Sequence, residues 1–148
     1  MHERLTRSGD GALLFHYPEY DALPAGDRDA IDALVSTVRV AAGEMVFHRG
    51  DPGDAMFVVK SGRFRVTGAT PSGAEVTLVE IGPRGWVGEM AVLTGQPRSA
   101  ALKAVTDGEL VRLPRSGFDE LARLYPEVAS RLTADIGPRL RRTQLLRV

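Results

Sequence analysis

At 148 residues, 43% hydrophobic and 26% charged, the chain is long enough to bury its own core and has the make-up of a soluble globular domain. Nineteen basic residues against nineteen acidic ones leave a formal charge of zero, so no bulk field draws it to nucleic acid or a membrane surface. Cysteine is absent, which excludes disulfides and thiol chemistry, and no apolar run reaches the roughly 18 residues a spanning helix needs.

Residues 1–18 show no clear hydrophobic period and read as a loose or short helical lead-in. Met1-His2-Glu3-Arg4 is polar, unlike a secretory leader, so a cytoplasmic location is expected. From Asp27 to Val38, Ile31, Leu34, Val35 and Val38 recur at helical spacing behind Pro24, which suits a helix start.

The period then changes. Val38 and Val40, Met45 to Phe47, Met56 to Val59, Phe64 to Val66, Val76 to Ile81, Ala100 to Val105 and Leu110 to Leu113 read as short strands. Glycine-rich turns separate them, among them Gly50-Asp51-Pro52-Gly53-Asp54, Ser61-Gly62, Pro71-Ser72-Gly73 and Asp107-Gly108. Strands of this length and spacing favour a jelly-roll barrel. After Pro114, Phe118, Leu121, Tyr125, Val128, Leu132, Ile136 and Leu140 restore the helical period, with a break at Pro126 and a kink expected at Gly137-Pro138. The expectation is one domain over 1–148, mainly β: an N-terminal helix, a barrel over about 37–115 and C-terminal helices over about 116–147.

The densest chemical signal is Gly88-Glu89-Met90-Ala91-Val92-Leu93-Thr94-Gly95-Gln96-Pro97-Arg98-Ser99-Ala100. Residues 89–93 favour a helix that Gly95 and Pro97 stop after about one turn, too short to be justified by packing. The first amides of such a turn lack internal partners and can point at one anion, with Gly88 leaving the approach clear. Arg98, beyond the loop, can pair bidentately with a phosphate. Glu89 is an acceptor only and needs donors, such as a sugar hydroxyl. A ligand with one phosphate charge and an adjacent ribose hydroxyl satisfies both, and a cyclic nucleotide is such a ligand. Taken singly, Glu89 reads equally well as a first-turn acid on the helix dipole, and Arg98 as a structural arginine.

Gly88-Glu89-Met90-Ala91 followed by Pro97-Arg98-Ser99-Ala100 resembles the phosphate-binding cassette of cyclic-nucleotide-binding domains. These occur in the bacterial catabolite activator, the regulatory subunits of cAMP-dependent kinase and cyclic-nucleotide-gated channels. The resemblance runs upstream through Gly43-Glu44, Phe47, Gly50 to Asp54, Met56 to Val59 and Gly62, over roughly residues 20–136. It implies a double-stranded β-helix (jelly-roll) fold and a regulatory sensor without catalytic activity. It gives Glu89 the ribose 2′-hydroxyl and Arg98 the cyclic phosphate, with Gly88, Met90, Ala91, Ser99 and Ala100 completing the cradle. Val66 and Leu78 align with positions that pack on the base. Two residues depart from the pattern: Val87 replaces the usual aromatic, and Ser99 stands where many kinase-type cAMP sites have alanine. Ser99 resembles both bacterial cAMP sites and cGMP-preferring sites, so cAMP is favoured over cGMP without being fixed.

Competing readings are weaker. Asp51 and Asp54 suggest calcium less than a tight turn. His2, His16 and His48 form no ligand pair, and no Ser/His/Asp set has local support. Arg139, Arg141, Arg142 and Arg147 read first as a solvated helix end, and otherwise as a lid over the base or a partner contact. Leu132, Ile136 and Leu140 serve either packing or a dimer seam. No helix-turn-helix fits before Val148, so specific DNA binding by this chain alone is not expected. The effector is a further domain, enzyme or channel; the alternative is a degenerate scaffold that binds nothing.

Overall fold

The computed structural model describes residues 2–5 and 17–134. Chain order is β1 (His2–Leu5), α1 (Pro18–Asp21), α2 (Ala25–Asp32), β2 (Ser36–Val40), β3 (Met45–Phe47), β4 (Ala55–Ser61), β5 (Phe64–Ala69), β6 (Glu75–Ile81), β7 (Trp86–Val87), α3 (Glu89–Thr94), β8 (Ala101–Ala104), β9 (Gly108–Pro114) and α4 (Arg115–Leu124). A further helical segment, α5, covers 126–134. The strands form two antiparallel sheets, ordered β1-β2-β9-β4-β7 and β3-β8-β5-β6. This is the expected mainly-β jelly roll with flanking helices.

Two apolar layers hold it together. Between the sheets lie Val38, Val40, Phe57, Val59, Phe64, Val66, Leu102 and Leu110. On the outer face of the five-stranded sheet, Met56, Val58, Val111 and Leu113 pack with Tyr20, Ile31, Val92, Leu121, Val128 and Leu132 of the helices. β4 therefore alternates between two apolar environments, and all of Ala55 to Val59 is buried. That is why it reads as a continuous hydrophobic run rather than an alternating one.

Four local readings need correction. The lead-in contains an edge strand, β1, paired with β2 (His2↔Arg39 to Leu5↔Ser36). Its residues His-Glu-Arg-Leu carry no apolar alternation, so only the backbone ladder reveals it. The first helix stops at Asp32, capped at Ala33, instead of reaching Val38. Val35 and Val38 are buried as expected, but in the connection and in β2. Trp86-Val87 forms a two-residue strand against Val58 and Phe57 that is too short to read from pattern. The fourth concerns β6 and bears on the site. The break at Pro126 is present, since residue 125 interrupts α4 and α5. Ile136, Leu140, the Gly137-Pro138 kink and the basic end at Arg139 to Arg147 lie outside the described residues, as do the side chains of His2 and His16.

Among the described residues, no helix is long and apolar enough to cross a membrane. None of their His, Asp and Glu side chains gather in threes around a possible metal position. The Gly50 to Asp54 stretch is a turn closed by its own polar groups: the amide of His48 donates to Asp51 Oδ2 at 2.8 Å.

Candidate functional site

The short helix expected after Gly88 is α3, bounded by two left-handed glycines, Gly88 (φ 79°) and Gly95 (φ 76°). The left-handed conformation strongly favours glycine at both ends, and at Gly88 space demands it as well. A Cβ there would come within 2.7 Å of Arg98 Nη1 and 3.4 Å of the Ala55 carbonyl oxygen. Gly53 is equally constrained, because a Cβ on it would lie 2.0 Å from that of Ala91. The turn before β4 therefore presses directly against α3.

The backbone of Arg98 belongs to the same assembly. Its amide donates to the Asp51 carbonyl at 2.8 Å, and its carbonyl accepts from Gly50 N at 2.8 Å. The turn over residues 48–54 thus fixes where the arginine emerges. Arg98 is 4% exposed. Nη1 donates to the Gly88 carbonyl and Nη2 to the Ala55 carbonyl, each at 2.7 Å. Its central carbon lies 4.1 Å from the Phe47 ring centroid, a cation–π contact. Asp54 Oδ1 stands 3.7 Å from Nη2, and Asp54 Oδ2 stands 3.7 Å from Arg112. The buried Nε–H has no hydrogen-bond partner. Burial lowers the guanidinium pKa from its ordinary value, while the Asp54 and Asp51 carboxylates act the other way.

A cavity of about 840 Å³ opens beside this arginine. Gly88, Glu89, Met90 and Ala91 line it from one side, and Arg98, Ser99 and Ala100 from the other. All seven cassette positions singled out in the sequence therefore face one hollow. Glu89 is 5% exposed, and its carboxylate adds to the field that favours the Arg98 charge. Ser99 is exposed at the rim.

Of the two positions aligned with base packing, Val66 lines the cavity and Leu78 does not. The register explains why. Val66 pairs with Val79 and Thr67 with Thr77, so Leu78 is the extra residue of a β-bulge. Val79 lines the cavity instead, and the Leu78 side chain packs over Gly68.

Three participants in the geometry were absent from the candidate residues: Phe47 under the guanidinium, Asp54 beside it and Val79 on the wall. Asp54 was legible only as a turn residue. Another is Arg115, whose Nη2 donates to the carbonyls of Gly53 (3.0 Å) and Ala91 (2.9 Å). Its amide donates to the Asp54 carbonyl at 2.8 Å, so the first residue of α4 is tied to both α3 and the 48–54 turn.

A family model described as cyclic nucleotide-binding domain matches residues 37–125. The N-terminal domain of a transcriptional regulator from Streptomyces coelicolor A3(2) is similar in structure, with 32% identity and a TM-score of 0.70 over 92% of this chain and 95% of that one. The Thermus thermophilus catabolite activator protein is 34% identical with a TM-score of 0.71, covering 87% of this chain and 61% of that one. Among curated proteins, lysophospholipase NTE1 of Chaetomium globosum is 35% identical over 111 residues, which is 75% of this chain and 7% of that protein. The chain thus spans less than a tenth of the length of the curated relatives it matches.

Proposed function

The chain belongs to the cyclic nucleotide-binding domain family, and on that premise we propose that it is a sensor that takes cAMP in preference to cGMP and signals through its C-terminal helices. The observation that carries the reading is the state of Arg98. A guanidinium has five N–H donors. Here two serve carbonyls and the buried Nε–H serves none, although the group lines an open cavity. A buried cation with an unmet donor is costly, and a phosphodiester oxygen is the acceptor that relieves it.

In this reading the cyclic phosphate meets Arg98 and the cradle of Gly88, Met90, Ala91, Ser99 and Ala100. Glu89 accepts from the ribose 2′-hydroxyl, and the base lies over Val66 and Val79. The preference for cAMP rests on the likeness of Ser99 to bacterial cAMP sites.

Transmission follows from Arg115. A ligand that draws α3 toward the phosphate moves the Ala91 carbonyl, and Arg115 passes that displacement to α4. The nucleotide must favour one helix position over another for any signal to result. The sensor occupies one domain, acts in the cytoplasm and performs no catalysis itself. Its effector is a separate domain or a second copy engaged through the C-terminal helices.

The test is calorimetric titration with cAMP and with cGMP. Micromolar binding, about 7–9 kcal/mol, is expected, tighter for cAMP. Wild-type protein that takes up neither nucleotide would leave the degenerate scaffold as the better account.

A further inference from the structure

Arg84 stands in a conformation that its side chain disfavours. Its φ is 69°, and it is the one non-glycine residue with positive φ among those described. The other six such positions are all glycine. The turn that holds it is closed by the backbone: Arg84 N donates to the Val59 carbonyl at 2.8 Å, and Val59 N donates to Gly85 at 2.9 Å. An arginine gains nothing from this geometry, and glycine would adopt it freely.

The side chain is not held by packing either. Arg84 is exposed, and among the described residues its guanidinium has no ion pair or hydrogen bond. Its neighbours are already committed. Arg63 and Arg65 both donate to Glu80, at 3.1 and 2.9 Å, and hold that carboxyl below the usual glutamate range. Around the 82–85 turn there are thus three arginines and one acid, with Arg84 the cation left over. Arg84 also lines the cavity that holds Arg98. At about 840 Å³ that cavity is near the upper end of the roughly 300–1,000 Å³ usual for small-molecule sites.

We infer that Arg84 is a second anion-binding residue and that the cavity accepts a cyclic dinucleotide, one phosphodiester at Arg98 and the other at Arg84. The inference rests on the cyclic-nucleotide reading above. Strain kept at a ligand-facing position is the signature of a residue retained for binding rather than for the fold.

The probes are cAMP, cyclic di-GMP and cyclic di-AMP, titrated against wild type, Arg84→Gly and Arg84→Asn. Asparagine tolerates the left-handed conformation without the charge and controls for the looseness glycine adds. The expected result is dinucleotide binding to wild type, weakened about tenfold or more in both variants. Affinity for cAMP should stay within about twofold, and the melting temperature should hold or rise by roughly 2–4 °C. Three results would overturn the inference: wild type that binds cAMP but no dinucleotide, dinucleotide affinity unchanged in both variants, or a clear fall in melting temperature in both. Wild type that binds none of the three ligands would remove the cyclic-nucleotide reading as well.

Discussion

Arg98 fills the volume that a side chain at Gly88 would need, and the Gly88 carbonyl in turn accepts from its Nη1 at 2.7 Å. Two residues ten apart in the chain therefore require each other. Gly88→Ala should cost about 1–2 kcal/mol for the left-handed backbone alone. It should also displace the guanidinium, so nucleotide affinity falls together with stability. A chemical denaturation series paired with calorimetry checks both effects. An alanine variant of native stability and native affinity would contradict the geometry.

Arg115 carries the link between cassette and C-terminal helices. Arg115→Ala removes donors to the Gly53 and Ala91 carbonyls. Nucleotide should still bind, weakened by no more than about thirtyfold, since two lost hydrogen bonds of about 1 kcal/mol each bound the effect. Nucleotide-dependent changes in hydrogen exchange over α4 and α5 should shrink markedly. Undiminished changes would place the relay elsewhere.

Leu132 is fully buried among Tyr17, Tyr20 and Ile31. Leu132→Ala should destabilise the domain by about 2–5 kcal/mol. A loss under about 1 kcal/mol would mean that α5 is detached from the core in solution. Saturating nucleotide should restore part of the loss by mass action.

Two phenols tie helices together: Tyr20 donates to Asp32 at 2.7 Å and Tyr125 to Asp27 at 2.8 Å. Burial and the Asp32 bond raise the Tyr20 pKa, and the Asp27 bond raises that of Tyr125. Folding favours the neutral phenol, so this stability is complete below about pH 10, the ordinary tyrosine value. It is lost as pH rises through the higher folded values. Alkaline titration by phenolate absorbance should show Tyr20 and Tyr125 ionising late. Tyr125→Phe should remove one late step and lower stability slightly at neutral pH. Simultaneous ionisation of both near the ordinary value would rule the bonds out.

The strands and the cassette were legible because their signals are local. Alternation in β2, β5 and β8, the glycines at 88 and 95, and the breaks at Pro114 and Pro126 each act within a few residues. What escaped depends on distant partners. Phe47 meets Arg98 across 51 positions, and β1 exists only by its ladder with β2. Leu78 was misplaced for a subtler reason. A bulge reverses the inward face of β6, and in a strand as exposed as Glu75–Ile81 no burial pattern announces the change.

Titrating cAMP into wild type and Arg98→Ala by calorimetry tests the central claim most directly. Loss of the guanidinium should weaken binding by about 2–5 kcal/mol, roughly thirtyfold to several thousandfold, while circular dichroism still reports the barrel. Equal affinity in the two proteins would contradict the account, because the phosphate would then be held without its arginine.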